Sequence, residues 1–510
     1  MTKSNTTSER SPLLLQEPAD SLHDAAYAVS PSGAVSVAVA VEKPLLESSD
    51  DETSNADVKR ELRDLLELAY PVVLTTMLEF LPGFTSIILA GHLESDETKE
   101  YVDAATMSTM LTNITGYSIG FGLASALDTL CSQAFGAKRY EKLGVYFQSG
   151  LIVIGICLAP IVLINLFTED LLLLMGQDPR VSELAQVFSR YNLLGLPFVF
   201  LYELQRKVLQ AQGIMTPLVF IAVLGNIVHV LSGYFLTYHT PAGFAGIALS
   251  RSLGNFSLPF FLWIYYKLCP ENLTQWWAGW DLPAATEHVG LFLRLGIPGM
   301  LMLVMEWWAY EIMSIMAGLL PNSVVAVSAH AVILNIVSMV YMIFLGVSVA
   351  SNIRVGNHLG ANHPNKARLV SWISIALCTA LGIFLSLVVF FGRFAIPKLF
   401  VNDAVTIASS STILVAWAPF EIFEGLNCVM QGIFRGTGMQ DMAARTNGFA
   451  FYVLAVPFAY LLGFQAAWGV EGIWVGFGGG IAVSGLSLVA VFGRWNWQAL
   501  ADAAQSRTAE

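Results

Sequence analysis

Glu79, Glu306, Glu311, Glu421 and Glu424 lie inside stretches that are otherwise apolar. An ionised carboxylate is expensive inside a bilayer, so acids found there are rare and by default functional. The chemistry open to them is proton uptake and release, and attraction of a cation. Glu306 shares a helical face with Met302, Tyr310 and Met313, at spacings of four and seven. Acid, tyrosine ring and thioether together suit an apolar cation, although a Met stripe is also ordinary core filler. Glu421 and Glu424 are one turn apart, and Asn427 and Gln431 continue their face. Two carboxylates that close cannot both stay ionised in a dry site. Glu311 is five residues from Glu306, about 140° round the helix, so it reaches the same cavity only from another wall. Glu79 has two readings: a second proton site, or an ion-pair partner of Arg251, which is also intramembrane. The pair is favoured; it would hold Glu79 ionised and remove it from proton cycling.

The elements that position these acids follow from composition and from a repeat. The chain has 510 residues, of which 55% are apolar and 13% charged. A soluble domain of that size needs about twice the charge fraction. Twelve apolar stretches, each long enough to span a bilayer, run from residue 65 to residue 493. Pro71 and Pro298, Glu79 and Glu306, and Gly91 and Gly318 are each 227 apart. Gly136 matches Gly360 at 224, Gln210 matches Arg435 at 225, and Gly246 matches Gly472 at 226. So small a drift means two homologous halves, as in many secondary transporters. Pro82-Gly83 inside the first span reads as a bend, since it removes a backbone donor.

Lys and Arg alternate sharply between loops, with Lys138, Arg139, Arg206, Lys207, Arg354 and Arg435 on one side. Positive charge marks the cytosolic side, so both termini are expected there. The net charge of -12 comes largely from acidic loops and the tail, and points to no charged partner. Five scattered cysteines suggest neither disulfides nor a zinc site. His358 and His363 are expected to be solvated. Residues 1–60 are polar and read as a disordered cytosolic tail. Residues 1–30 lack a signal-peptide pattern, so the first span is expected to insert as an anchor. The expected domains are the tail 1–60, a first lobe 61–275, a second lobe 276–495 and a C-terminal tail 496–510.

Several motifs resemble one family. SALDTLCSQAFGA (125–137), the Glu306-Trp307-Trp308-Ala309-Tyr310-Glu311 segment, RVGNHLGA (354–361) and QGIFRGTG (431–438) are similar to segments of multidrug and toxic compound extrusion (MATE) transporters. The long polar tail and the acid-Trp-Trp segment look like eukaryotic, especially fungal, members. The resemblance implies an all-α integral membrane protein of twelve helices in two six-helix lobes related by a pseudo-twofold. It implies an antiporter, not an enzyme, exporting organic solutes in exchange for protons rather than sodium. It places proton or substrate binding at Glu306 and at Glu424, which lies eleven residues before Arg435-Gly436. Glu311, Glu421, Tyr310, Asn427 and Glu79 complete the candidate set. Glu79 departs from plant members, which commonly have Gln. Asp128 reads as a helix-end or gate contact.

A lipid-linked oligosaccharide flippase is the alternative, since a related superfamily shares the lobes. It would need a cationic cavity, whereas the intramembrane charges here are mostly acidic. No cofactor, metal, nucleic acid or ATP-binding motif is read, and a monomer is expected. Glu9-Arg10-Ser11-Pro12-Leu13-Leu14 matches an acidic dileucine signal read by sorting adaptors. That favours the vacuolar membrane over the plasma membrane.

Overall fold

The computed structural model describes residues 55–509 apart from 94, 96 and 322. All regular structure among the described residues is helical. Among the described residues, ten helices are long and apolar enough to cross a membrane. In chain order the bundle begins with α1 (Asn55–Gly91) and α2, a broken helix from Thr98–Thr112 to Ala126–Gly136. Then come α3 (Tyr140–Asn165), α4 (Pro179–Asn192 and Leu196–Ala211), α5 (Thr216–Tyr238) and α6 (Gly243–Leu268). The second half runs α7 (Val289–Gly318), α8 (Ser323–Gly360), α9 (Pro364–Gly392) and α10 (Ala404–Trp417 and Glu421–Thr437). It closes with α11, from Gln440–Gly448 through Val456–Tyr460, then α12 (Gly469–Phe492) and α13 (Trp497–Ala509). Helices α2 and α6 complete the run of twelve before α13.

The apolar faces that make these helices also bury against one another. One core unites residues of α7 to α13, including Phe344, Trp417, Phe434 and Trp474. Another unites residues of α2 to α6, including Tyr146, Phe200 and Tyr202, with Phe292 and Leu295 of α7. Helix α1 is continuous through Pro71 and Pro82. Pro82 has no N–H, so the Leu78 carbonyl one turn earlier loses its helical donor. The Asn226 side chain on α5 supplies a replacement at 2.8 Å, the kind of cross-helix repair a membrane helix needs.

The repeat reappears as symmetric contacts. A Cβ on Gly122 would strike the Met300 backbone, and one on Gly346 would strike Val73. Gly136 of α2 abuts the backbone of Asn357, and Gly360 of α8 abuts that of Gln133. Each contact is the counterpart of the other under the sequence offset. The short 3₁₀ turns match as well: Leu193–Gly195 breaks α4 and Ala418–Phe420 breaks α10, each 225 residues from the other.

The first turns of α1 and the last turns of α8 meet through Glu61, which accepts from Arg354 at 2.5 Å and lies 3.2 Å from His358 Nε2. Asp64 lies 3.3 Å from the same guanidinium. Both ends of the described chain therefore sit at one end of the bundle, because α13 also docks there. Arg507 donates to Gln133 Oε1 at 2.7 Å and to the Thr437 carbonyl at 3.2 Å. Thr129 and Gln133 of α2 donate to the carbonyls of Arg435 and Gly436, at 2.5 and 2.9 Å. These bonds seal the halves together at that end.

Three expectations change. Residues 55–60 are the opening turns of α1, not tail, and residues 497–509 are a docked helix. His358 is buried, 2% exposed, not solvated. For residues 55–60 and His358 the reason is shared: α1 and α8 continue beyond their apolar stretches, and their polar ends satisfy each other; residues 497–509 are held through Arg507.

The glycine pairs give a test. Overpacking costs about 1–3 kcal/mol, roughly a five- to hundredfold shift of an equilibrium. Gly136→Val and Gly360→Val should each unseat the sealed end, by similar amounts. With the other four cysteines replaced, the labelling rate of buried Cys131 by a thiol reagent should rise by that factor. Unchanged labelling in both variants would refute the assignment.

Candidate functional site

The candidate acids separate into a cluster in the second half and an ion-pair network in the first. In the second half, α7 carries Glu306 and Tyr310 one turn apart. Helix α10 resumes at Glu421 just after the 3₁₀ turn at Ala418–Phe420, where Pro419 cannot donate. That break sets Glu421 and Glu424 at the start of a fresh helical segment whose polar face continues through Asn427 and Gln431.

The Tyr310 hydroxyl donates to Glu424 Oε1 at 3.1 Å. Gln431 Nε2 donates to Glu306 Oε2 at 3.2 Å, and Trp417 Nε1 donates to Glu421 Oε1 at 2.8 Å. Glu306, Glu421 and Glu424 are 7%, 0% and 4% exposed, so all three carboxyls are withdrawn from bulk solvent. The second oxygens of Glu421 and Glu424 are buried with no donor from any other side chain. Glu421 and Glu424 are one helical turn apart on this buried face, so a dry site does not hold both of them ionised. Two carboxylates offer no donor, so these second oxygens gain a partner within the pair only when one of the two carboxyls carries a proton. Phe477 of α12 packs on the Tyr310 ring, centroids 4.8 Å apart.

Other candidates fall elsewhere. Asn427 faces Ser484, 2.9 Å away, and Ser484 also lies 2.7 Å from Asn447. This group joins α10, α11 and α12 rather than the carboxyls. Glu311 is half-buried and no hydrogen bond or ion pair joins it to the cluster. Met302 and Met313 are core residues.

In the first half, Glu79 pairs with Arg206 and not with Arg251: Arg206 Nη1 lies 2.6 and 2.8 Å from the two carboxylate oxygens. Arg206 also pairs with Glu203, and Lys207 lies 2.9 Å from Asp128 and 3.7 Å from Glu203. Arg435, from the other half, approaches Asp128 at 3.8 Å. The expected partner fails on position. Helix α1 packs on α5 far more than on α6, and Arg251 is about 6 Å nearer its helix end than Glu79. Sequence reasoning placed Arg206 and Lys207 at the loop edge, because the apolar stretch stops there. The signal that could have found them was the spacing Glu203, Arg206, Lys207, at three and four residues, within a helix that runs on to Ala211.

Twelve helices in two symmetric halves, ten of them long and apolar enough to cross a membrane, with buried carboxyls in one half and a neutralised charge network in the other, define a multi-pass membrane transporter. Comparison with known proteins agrees. The MatE family model matches residues 71–235 and 298–461, one stretch in each half. Multidrug and toxin extrusion protein 1 of Mus musculus is 36% identical over 446 residues, covering 87% of this chain and 77% of that protein. Its Homo sapiens counterpart is 36% identical over 419 residues, covering 82% and 72%. The crystal structure of the eukaryotic MATE transporter AtDTX14 superposes with a TM-score of 0.83 at 28% identity, covering 88% of this chain and 99% of that one. The chain belongs to the MATE family of multidrug and toxin extrusion transporters. It is a transporter and not an enzyme, and the flippase reading is not favoured.

Proposed function

We propose that the protein exchanges protons for organic cations, with Glu306, Tyr310, Glu421 and Glu424 as the site. The observation that carries this reading is the buried pair Glu421 and Glu424, one turn apart, each with a second oxygen that no donor satisfies, with Tyr310 donating to Glu424. Removing the shared proton leaves a second negative charge in a site lined by Tyr310 and Phe477, which attracts a cation. Returning it weakens that attraction, so the cation leaves on the acidic side. Glu306 adds charge from the facing helix. The end holding Asn55 and Ala509 faces the cytosol in this reading, supported by the bias of Lys and Arg toward it.

The test is uptake into proteoliposomes of a panel of organic cations, amino-acid derivatives and phenolics. Cations should accumulate under an imposed pH gradient without sodium. Transport that needs sodium and ignores the pH gradient would replace the proton as coupling ion. Uptake restricted to anions would overturn the substrate class.

We also propose the vacuolar membrane as its site, in preference to the plasma membrane. An acidic lumen would drive proton exchange toward storage of the solute. The dileucine at Leu13 and Leu14 supports this, although it lies outside the described residues. Imaging of a C-terminally tagged protein should show vacuolar signal that moves to the cell surface when Leu13→Ala and Leu14→Ala are combined. Cell-surface signal in both forms would remove the sorting role.

A further inference from the structure

Arg251 is left over when the buried charges of the first half are paired. Glu79, Glu203 and Asp128 are matched by Arg206, Lys207 and Arg435. Among the described residues, Arg251 has no ion pair. Its guanidinium has five N–H donors, and the bond it makes is from Nη1 to Thr109 Oγ1, at 3.0 Å. The residue as a whole is 9% exposed.

The side chain is set to face the interior of the bundle. Leu253, Phe256 and Phe260 form the exposed stripe of α6, and Arg251 is about 140–200° round the helix from each of them. It is eight residues in from Gly243, the first of the helix, a depth of about 12 Å. His229 of α5 packs on Gly254, one turn along α6 from Arg251, and its ring is within electrostatic range of the guanidinium. Its ring is 1% exposed and neither ring nitrogen has a partner. Gly254, one turn beyond Arg251, admits this close packing, since a Cβ there would lie 3.0 Å from His229 Cβ.

We propose that Arg251, Thr109 and His229 form an anion site in the first half, taking a small monovalent anion: a halide, or the carboxylate of a transported solute. An uncompensated guanidinium is costly at that depth, and an anion is the counter-charge the protein itself does not supply. The three groups present donors. Thr109 Oγ1 accepts from Arg251, so its own hydroxyl hydrogen remains to donate, and a neutral imidazole keeps one N–H. The site has the opposite sign to the carboxyl cluster and is built from different helices, so it stands whether or not protons drive transport.

The test uses the purified full-length protein in methanesulfonate buffer at constant ionic strength. It is titrated with chloride and, separately, with acetate, while the thermal unfolding midpoint is followed. A saturable rise is expected with at least one of them, and it should vanish in Arg251→Gln. A response to chloride alone identifies a halide site; a response to acetate identifies carboxylate recognition. Thr109→Val and His229→Leu keep the guanidinium and should raise the half-saturating concentration by about tenfold, the loss of one charge-assisted hydrogen bond. These two variants decide the matter if Arg251→Gln does not fold. No saturable rise with either anion overturns the proposal. So does an undiminished rise in Arg251→Gln, or an unchanged half-saturation in both other variants.

Discussion

Glu424→Gln should abolish pH-driven uptake and leave the protein folded. The substitution keeps the shape of the side chain and replaces an exchangeable proton with a permanent amide donor. Gln at 424 can donate to Glu421 and accept from Tyr310, so the local bonds of the shared-proton state survive. The thermal midpoint should therefore equal or exceed that of the wild type. What is lost is the second negative charge that attracts the cation. Glu306→Gln should also abolish transport, since Gln431 still has an oxygen to donate to while the charge facing α10 is gone. Tyr310→Phe should be milder. It removes one hydrogen bond to a charged group, about 1.5–3 kcal/mol, or roughly ten- to a hundredfold in rate. Uptake by reconstituted protein under a fixed pH gradient measures all three. Wild-type rates in both Gln variants would remove the carboxyls from the mechanism.

Much of this site was legible from spacing alone. Glu421, Glu424 and Gln431 lie at helical intervals, and Glu306 and Tyr310 are one turn apart on a matching segment. Periodicity places residues on a face, and the repeat says which helices correspond. What periodicity cannot supply is azimuth between helices. Asn427 lies on the expected face of α10 yet turns to Ser484 and Asn447, because α12 packs there. The partner of Glu79 was misassigned for the same reason, since an ion pair in a bundle depends on which helix intervenes. Helix ends were the other loss. Hydropathy stops where charges begin, whereas the backbone continues as helix when those charges find partners. Glu61 with Arg354 and His358, and Arg206 with Glu79 and Glu203, are such extensions. Their burial was invisible to any rule that assigns charged residues to loops.

The network around Arg206 makes the second large effect asymmetric. Arg206 serves two carboxylates at once, Glu79 at 2.6 Å and Glu203, and its side chain is only 11% exposed. Arg206→Met strips both acids of their main counter-charge, with Lys207 already engaged by Asp128. Breaking a buried pair from the side that leaves charge behind costs about 3–5 kcal/mol. Glu79→Gln is the cheaper change. It leaves Arg206 paired with Glu203, and the Gln oxygen can still accept from the guanidinium. Its expected cost is about 1 kcal/mol, that of a typical hydrogen bond weakened. In the double variant Glu79 is no longer a stranded charge, so most of the cost of Arg206→Met should return. Thermal or denaturant unfolding in detergent measures the three. Equal costs for the two single variants, or a double variant worse than their sum, would mean that Arg206 is not the counter-ion of Glu79. The same Glu79→Gln protein discriminates the second reading of that acid. If Glu79 is held ionised by Arg206, the variant still couples uptake to the pH gradient. If it is stable but uncoupled, the first half carries a proton site of its own.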